Sequence, residues 1–293
     1  MSTISAPRTR AGILGKTWRR RIGNTLAYIT LTALSLLFLI PLAWLFLTSL
    51  MTLKQATSFP PEWIPNPVQF DNYIKALKFW NFARSFRNTA IVTSAVMIGE
   101  LLSCTLVAYG FARLRFPGRN FLFIVLMSTM MLPGVVTMVP LYILFSKIQW
   151  VNTFLPLTVP AFFGGAFYIF LLRQFFMTIP EELIDAARID GAGELNIWAR
   201  IMLPLSGPAI IVVAIFSFQG AWNDFMGPLI YLNNEKLHTM ALSLHMFRGL
   251  PGQGSIINQM MAATVMMVLP MLIVFAVFQR YFIQGVTLTG LKG

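Results

Sequence analysis

The sequence predicts an all-α membrane protein with six transmembrane helices, and three observations support this fold class. First, 57% of the 293 residues are hydrophobic and only 11% are charged, whereas about a quarter of the residues in a soluble domain carry a charge. Second, six apolar runs are each long enough to cross the hydrocarbon core as a helix. Third, only two charged side chains, Glu100 and Asp224, lie inside those runs. A soluble enzyme, a nucleic-acid-binding domain and a disulfide scaffold are therefore excluded.

The six runs follow one another along the chain at residues 26–50, 89–112, 121–145, 153–172, 208–232 and 260–278. The first run follows basic residues, as in a signal peptide. It is longer than the apolar region of such a peptide, and no small-residue cleavage site follows it, so we expect a retained first span. The proline-rich stretch 59–67 in the outer segment 51–88 is not expected to be regular helix, because each proline disfavours the α region in the preceding residue.

Prolines interrupt several of the runs, at positions 41, 133, 140, 160, 228 and 270. Membrane helices tolerate proline because neighbouring helices can satisfy the freed carbonyl groups. The pairs Pro133-Gly134 and Gly227-Pro228 have two interpretations. Each is either a simple kink or a break in a helix beside a transport pathway.

The basic residues are distributed unevenly between the two sides of the predicted membrane domain. Of the 22 Lys and Arg residues, 14 fall on one side, and six of these lie within the first 24 residues. The positive-inside rule therefore places both termini in the cytoplasm, and part of the basic N-terminus can contact anionic lipid headgroups. We divide the chain into a basic cytoplasmic segment (1–24), a transmembrane domain (25–283) with a cytoplasmic loop at 173–207, and a cytoplasmic tail (284–293).

The sequence lacks the patterns that carry catalysis or metal binding. Residues 15–17 read Gly-Lys-Thr, but the glycine that a phosphate-binding loop needs five residues earlier is Arg10. His238 and His245 have no cluster of Cys or carboxylate residues with which to bind a metal. The single Cys104 allows no disulfide within the chain. We therefore expect no enzymatic activity and no metal site.

The loop at 173–207 is expected to form two short helices parallel to the membrane, the second beginning at residue 196. Thr178 and Glu181 have the spacing of a capping box at the start of the first helix. Gly191 lies where a helix ends in a left-handed residue. The residues that share one face of the first helix are Leu183, Ala186, Ala187 and Asp190. The small alanines on this face allow another backbone to approach closely.

The charge of this loop distinguishes a helix that lies on the membrane surface from a helix that binds a protein. An amphipathic helix lying on the membrane surface is the simpler interpretation. However, the loop carries five acidic residues, namely Glu181, Glu182, Asp185, Asp190 and Glu194. An anionic leaflet would repel them, so a protein partner that offers cations explains them better.

The loop resembles the signature loop of the permease subunits of binding-protein-dependent ABC importers. The resemblance is carried by Asp185-Ala186-Ala187, Gly191, Ile201 and Leu203-Pro204, with Asp185 replacing the usual Glu. Further strings narrow it to the carbohydrate branch, and there to the shorter of the two permease subunits of maltose-type systems. They are Asp71-Asn72-Tyr73, residues 108–113 (AYGFAR), 179–183 (IPEEL), 187–192 (ARIDGA), 222–225 (WNDF) and 290–293 (GLKG). The resemblance implies a type I ABC importer permease fold.

The resemblance also implies partners and residue roles. In such importers two permease subunits form the pathway, two ATPase subunits bind ATP and Mg, and an extracytoplasmic solute-binding protein delivers the sugar. This chain would itself hold no cofactor. The residues implied to couple it to an ATPase are Glu182, Asp185, Ala186, Ala187, Asp190 and Gly191, in a helix that sits in an ATPase cleft. Asp185 would meet a cation there, and the tail at 287–293 either contacts the ATPase pair or is unstructured.

Polar residues within the predicted spans suggest where a solute passes. Glu100 and Asp224 would each cost on the order of 3 kcal/mol facing lipid at the bilayer centre, so we expect them to face a subunit interface or a wet cavity. Glu100 makes a structural hydrogen bond or serves a proton relay. The candidate pathway residues are Gln219, Trp222, Asn223 and Asp224, because an indole stacks on a sugar ring and amides bind hydroxyl groups. Alternatively, Asn223 and Asp224 cap a broken helix or contact the partner permease.

The sequence thus predicts a non-catalytic, multi-pass permease subunit of an ATP-driven sugar or oligosaccharide importer. Its expected location is the cytoplasmic (inner) membrane of a bacterium or archaeon, in a heterodimer with a second permease and without nucleic acid. The alternative is an ion-coupled secondary carrier for a small polar solute, which would need more ionisable residues in its spans and no acidic docking loop. Mono-, di- and oligosaccharides, polyols and glycerol phosphates all fit the sequence.

Overall fold

The computed structural model describes residues 11–79, 81–246 and 256–290, and the secondary structure in these ranges is helical, with no strand. The helices before the cytoplasmic loop are α1 (Ala11–Ser49), α2 (Leu53–Ala56), α3 (Asp71–Phe79), α4 (Phe82–Arg113), α5 (Arg119–Thr129), α6 (Gly134–Lys147), α7 (Leu155–Thr158) and α8 (Ala166–Phe176). The remaining helices are α9 (Glu181–Ile189), α10 (Glu194–Ile197), α11 (Leu203–Leu205), α12 (Gly207–Trp222), α13 (Met226–Tyr231), α14 (Met240–Met246) and α15 (Ile257–Gly290).

The predicted spans correspond to four continuous segments and two bent helix pairs among the described residues. The continuous ones are Arg21–Ser49, Phe82–Arg113, Leu155–Phe176 and Ile257–Arg280. The bent pairs are Arg119–Thr129 with Gly134–Lys147, at 96°, and Glu194–Leu205 with Gly207–Trp222, at 84°. The described residues therefore contain four helices that are long and apolar enough to cross a membrane, and the predicted number of six is reached if each bent pair is counted as one span.

The two proline–glycine pairs behave differently. Pro133 is the N-cap of α6, so the chain breaks there rather than kinking within one helix. Gly227 and Pro228 lie inside the first turn of α13, and the break precedes them, between Trp222 and Met226. Pro41, by contrast, lies within a continuous helix.

The helical ends extend beyond the segment boundaries expected from the sequence. Helix α1 begins at Ala11, so residues 11–24 are continuous with the first span rather than a separate segment. Helix α15 runs to Gly290, past the expected boundary at 283. Residues 1–10 and 291–293, which include the end of the predicted tail, lie outside the described residues.

The outer ends of α1, α3 and α15 are tied together by buried amides. The Asn72 side chain donates to the carbonyl oxygens of Ser49 (2.9 Å) and Met51 (2.8 Å). Asn258 donates to Asn72 Oδ1 at 3.0 Å. These bonds satisfy carbonyl groups where α1 ends. The proline-rich stretch between α2 and α3 contains no helix, as predicted.

The main core joins the inner halves of α4, α8 and α12 to the cytoplasmic loop. Its fully buried side chains include Cys104, Leu172, Phe176, Ile184, Ile197, Met202 and Val213. This core therefore holds the loop helices against the ends of the spans. Outside this core, Gly99 lets α4 pack closely against the turn Val159–Phe163, because a Cβ at position 99 would lie 2.8 Å from the Phe162 ring.

Candidate functional site

The first helix of the cytoplasmic loop, α9, starts at a different residue from the one predicted. Pro180 is its N-cap, with no side-chain cap bond, so the predicted capping box of Thr178 and Glu181 is wrong. The Thr178 hydroxyl instead donates to the Phe175 carbonyl at 2.7 Å. The physical reason is that Ile179 precedes a proline, which disfavours the helical conformation at Ile179. Pro180 itself has a non-helical ψ of 136°, and the helix begins at Glu181.

The end of α9 is the glycine-terminated stop that the sequence predicted. Gly191 has φ +83°, in the left-handed region. The Gly191 N–H donates to the Arg188 carbonyl (3.0 Å), and the Ala192 N–H to the Ala187 carbonyl (2.9 Å). These two bonds make a Schellman motif, which satisfies carbonyl groups that the helix end leaves free. The chain therefore reverses sharply after α9.

Helix α9 has a buried side and an outward side. Ile184 is 1% exposed and packs into the main core, and Ala187 is half-buried against the same core. Leu183, Ala186 and Asp190 are exposed as the shared face predicted. The expectation that Ala187 belongs fully to that outward face is therefore corrected. Ile189, at 87% exposure, extends the apolar part of the outward side.

Two side chains at the inner end of α4, and one just after it, contact the loop. Arg113 donates to the carbonyl oxygens of Phe176 and Ile179, which lie just before α9. The Tyr109 hydroxyl bonds the Glu194 carboxylate at the start of α10. Arg115 lies 3.6 Å from Glu181. The loop is thus held by α4 at both ends of α9.

Arg188 links the outward side of α9 to α10. Its guanidinium bonds Asp185 at 3.2 Å and Glu194 at 3.0 Å. The hydrogen bond to Glu194 raises the pKa of Arg188, so the guanidinium stays charged. The Asp185 carboxylate, implied to meet a cation on an ATPase, already has a cation in its own chain. Glu182 and Asp190 make no ion pair within the described part of the chain.

The second helical stretch forms as predicted and leads directly into the fifth span. Helix α10 continues through a π-helical turn, Trp198–Met202, into α11. Ile197 and Met202 are fully buried in the main core. The whole segment from α9 to α11 therefore packs against the membrane domain.

Of the four predicted pathway residues, Trp222 differs from the others because it is buried. Its ring is 3% exposed, stacks on Phe218 and meets the edge of Phe86. Its indole N–H donates to the Met267 carbonyl at 3.0 Å. Both ring faces are thus occupied within this chain, so Trp222 packs α12 against α4 and α15 and leaves no open face for a sugar ring.

The other three predicted pathway residues lie close together at the end of α12. Gln219 and Asn223 are exposed, and the Asn223 amide donates to the Gln219 carbonyl at 3.0 Å. Asp224 Oδ1 accepts the Gly227 N–H at 3.1 Å, which caps the start of α13. The capping role weighed for Asp224 is therefore present in the structure.

Glu100 and Asp224 both line an internal cavity of about 210 Å³. Neither carboxyl group is left facing lipid, which agrees with the cost of such exposure. The Oε2 atom of Glu100 is buried and lacks a hydrogen-bond partner among the described residues, so the structural bond expected for Glu100 does not satisfy this oxygen. No group of three or more His, Cys, Asp or Glu residues that could hold a metal occurs in the same ranges.

Tyr109 and Arg113 are the important residues that sequence reasoning did not assign a role. Both lie in the string 108–113, which was singled out only for resemblance. An arginine at the last turn of an apolar helix is a usable signal, because its buried stem can reach nearby carbonyl groups. Its partners, however, lie more than 60 positions away in the chain.

Comparison with known proteins gives concordant findings. The sequence model of the family described as "Binding-protein-dependent transport system inner membrane component" matches residues 101–288. The arabinooligosaccharides transport system permease protein AraQ of Halalkalibacterium halodurans is 36% identical over 233 residues, which cover 78% of this chain and 81% of that protein. The sn-glycerol-3-phosphate transport system permease protein UgpE of Brucella abortus is 28% identical, covering 92% and 98%.

The fold also matches that of a solved transporter. A chain of a bacterial ABC transporter involved in the import of the acidic polysaccharide alginate superposes with a TM-score of 0.80 at 22% identity, covering 95% of this chain and 100% of that one. A second structure, of the alginate transporter in complex with an alginate pentasaccharide-bound periplasmic protein, gives a TM-score of 0.61 at 18% identity. The type I ABC importer permease fold predicted from the sequence is confirmed.

Proposed function

Because the chain belongs to the family of inner membrane components of binding-protein-dependent transport systems, we propose that it forms the transport pathway of an ATP-driven sugar importer and takes its driving force through α9. Membership of this family makes it a non-catalytic permease subunit. The alternative of a self-contained ion-coupled carrier is therefore wrong. The proposed mechanism rests on one observation. One side of α9 is anchored to α4, and its other side is exposed.

The outward side of α9 fits a protein cleft better than a membrane surface. It combines exposed apolar side chains, Leu183 and Ile189, with the carboxylates of Glu182 and Asp190. Burying one such apolar side chain contributes about 1.5–3 kcal/mol. A lipid headgroup region with net negative charge would favour basic residues instead. We assign this side to an ATPase subunit that binds ATP and Mg, one of a pair in the assembly.

The anchored side of α9 explains how motion would reach the spans. Arg113 and Ile184 tie α9 to α4 and α8, and α10 and α11 continue into α12. A push on α9 therefore moves the packed inner ends of three helices together. In this scheme Ala186 makes the close contact with the ATPase. Gly191 allows the reversal that leads the chain back to the core.

The solute is assigned from relatives and from the intramembrane residues together. AraQ is named for arabinooligosaccharides and UgpE for sn-glycerol 3-phosphate, so a hydroxyl-rich solute is common to both. Gln219 and Asn223 present amides on one exposed patch of α12, and amides suit sugar hydroxyl groups. We place the chain in the cytoplasmic (inner) membrane, paired with a second permease and supplied by an extracytoplasmic solute-binding protein.

The docking assignment is tested by substituting Ile189, the most exposed apolar residue of α9. Ile189→Ser in the full assembly is expected to weaken ATPase retention during purification by about tenfold or more, because the lost burial is worth at least about 1.4 kcal/mol. The matched control is Ile148→Ser, which changes an exposed isoleucine after α6, outside the loop. Equal ATPase retention by both variants would contradict the assignment.

The transport assignment is tested in proteoliposomes that contain the permease pair, the ATPase pair and the binding protein. Uptake of arabinotriose, sn-glycerol 3-phosphate and an alginate trisaccharide is measured with and without ATP inside the vesicles. We expect ATP-dependent uptake of at least one of these solutes and none without the binding protein. Uptake driven by an ion gradient in the absence of ATP would refute the proposal.

A further inference from the structure

A polar cavity lies within the membrane domain, between α4, α8 and α12. Its volume is about 210 Å³. At about 30 Å³ for each water molecule in the liquid, this equals the volume of roughly seven waters. The space suits one sugar ring rather than a whole oligosaccharide. The polar side chains that line it are Glu100, Tyr168, Ser217, Asp224 and Thr239.

The cavity contains buried polar atoms that the protein leaves unsatisfied. Thr239 is 4% exposed, and its hydroxyl has no hydrogen-bond partner among the described residues. The same holds for Glu100 Oε2, and the buried Ser217 lies beside the Glu100 carboxyl. Because buried polar atoms are nearly always hydrogen-bonded, these atoms need a partner that the described residues do not supply, and each is nearly closed to water in this structure.

The cavity reaches the surface of α12 at Gly220, which lines the cavity and is itself exposed. Ser217, Gly220 and Ala221 share one side of α12, whereas Gln219 and Asn223 project from a different side, because successive residues of a helix are turned by about 100°. The exposed amides are therefore not part of the cavity lining.

The charges of the side chains that line the cavity indicate whether it favours a neutral or an anionic solute. Two carboxyl groups line the cavity, and none of its lining residues is Lys, Arg or His. A buried anion needs a cation or several donors to be tolerated, and this lining offers only hydroxyl groups. Carboxyl oxygens and hydroxyls instead match the donors and acceptors of sugar hydroxyl groups.

We propose that this cavity is a transient site for one ring of an uncharged sugar during transport, and that it disfavours phosphorylated or carboxylated sugars. The proposal rests on the proposed function, because it makes the cavity part of the transport path. It adds a substrate class, neutral and hydroxyl-rich, and residues outside the predicted pathway set, namely Glu100, Ser217 and Thr239.

The charge preference of the cavity is tested without knowledge of the transported sugar. In the assembled transporter, Cys104→Ala removes the single native cysteine, and Thr239→Cys places a thiol in the lining. We compare the rates at which this thiol reacts with two reagents. Methyl methanethiosulfonate is neutral, and sulfonatoethyl methanethiosulfonate is anionic. The control is Lys236→Cys, whose side chain is exposed in the same outer segment.

We expect the ratio of the reaction rate with the neutral reagent to that with the anionic reagent to be at least about tenfold larger at position 239 than at position 236. Adding Glu100→Gln should lower this ratio at position 239. Equal ratios at the two positions would overturn the charge preference. A thiol at position 239 that reacts with neither reagent would show that the cavity is closed to solutes, and would overturn the site itself. Both outcomes are independent of whether the chain imports a sugar.

A second experiment measures the role of the cavity in transport. Thr239→Val removes the unpartnered hydroxyl, whereas the control Thr105→Val removes a buried hydroxyl that already bonds the Leu101 carbonyl in α4. With arabinotriose as the uncharged probe, we expect Thr239→Val to raise the KM for uptake about fivefold, the effect of one lost hydrogen bond. ATPase stimulation by the binding protein should persist.

The outcomes separate the two proposals. Absence of ATP-driven uptake of any probe by the unsubstituted assembly would refute the proposed function, while the thiol measurements still report on the cavity. Uptake of sn-glycerol 3-phosphate in preference to arabinotriose would overturn the neutral-sugar assignment alone. An unchanged KM for Thr239→Val would remove the cavity from the transport path.

Discussion

At the scale of single residues, Gly191 combines a left-handed backbone with open surroundings. Its φ of +83° is one that side-chain-bearing residues rarely adopt. A Cβ placed there meets no atom of the chain within 4 Å. The cost of a substitution within this chain therefore comes from the backbone conformation and not from neighbouring atoms.

We predict that Gly191→Asp impairs uptake and ATPase coupling while membrane insertion stays intact. The left-handed conformation costs an L-residue about 1–2 kcal/mol, and the new carboxylate adds charge to the docking side beside Asp190. The measurements are solute uptake, ATPase activity and the amount of the chain in the membrane fraction. Gly191→Asn, which has the same shape without the charge, should be milder. Full transport by the Asp variant would count against the coupling role of α9.

Two glycines of α4 provide a matched test of close packing. At Gly99 a Cβ would lie 2.8 Å from the Phe162 ring and 3.1 Å from the Ala161 backbone, whereas at Gly110 it would meet nothing within 4 Å. Gly99→Ala should destabilise the protein by about 1–3 kcal/mol, as overpacking does. Gly110→Ala should be neutral or stabilising by up to about 1 kcal/mol, because alanine favours helix.

Thermal unfolding of the two variants in the same detergent checks this prediction. A melting temperature for Gly99→Ala at or above that of the unsubstituted protein would show that Phe162 moves aside freely. The contact between α4 and the turn Val159–Phe163 would then not be tightly packed.

At the scale of secondary-structure elements, the inner end of α4 acts as a clamp on the loop. Arg113 reaches the Phe176 and Ile179 carbonyl oxygens together. Both bonds come from one nitrogen, Nη2, whose two N–H groups are held in fixed directions by the planar guanidinium. A lysine side chain is shorter, and its ammonium is a point charge without fixed donor directions. We therefore expect the clamp to depend on arginine and not only on positive charge.

Arg113→Lys is predicted to lower stability by about 1.5–3 kcal/mol, the range for hydrogen bonds to charged groups, and to reduce solute uptake per ATP hydrolysed. The control is Arg115→Lys, two residues later, whose exposed ion pair with Glu181 contributes about 0–1 kcal/mol. Melting temperature and coupling ratio are measured on both. If the two variants behave alike, Arg113 is not a clamp.

Comparison of the predicted helices with the observed ones shows which structural features can be predicted from the sequence. The stop of α9 at Gly191 was predictable, because it depends on the local conformation of one residue. The break at Pro133 was one of two interpretations that the sequence left open. The capping box at Thr178 was wrong because the restriction that Pro180 places on Ile179 outweighs the capping pattern. The burial of Trp222 was not predictable, because α12 is apolar all round and its pattern does not reveal which face meets α4 and α15. The bonds of Tyr109 and Arg113 depend on contacts between distant parts of the chain.

At the scale of the whole molecule, the uneven distribution of basic residues predicts the orientation in the membrane. With Cys104→Ala as background, Asn120→Cys lies at the start of α5, close to Arg115 and Arg119, and Lys236→Cys lies between α13 and α14. Both side chains are exposed. Positive residues favour the cytoplasmic side. A membrane-impermeant maleimide should therefore label position 236 in intact cells and position 120 only after permeabilisation. Labelling of position 120 from outside would invert the proposed topology.

The separation of the two sides of α9 also bears on how such subunits diversify. Ile184 and the carbonyl groups held by Arg113 serve the stability of the bundle, whereas Leu183, Ala186 and Ile189 meet no requirement of the fold. Mutations can accumulate at the latter three positions without loss of folding. Under the proposed docking of α9 on an ATPase subunit, a duplicated copy of this chain can therefore change its ATPase partner by a few surface substitutions, while its membrane architecture stays unaltered.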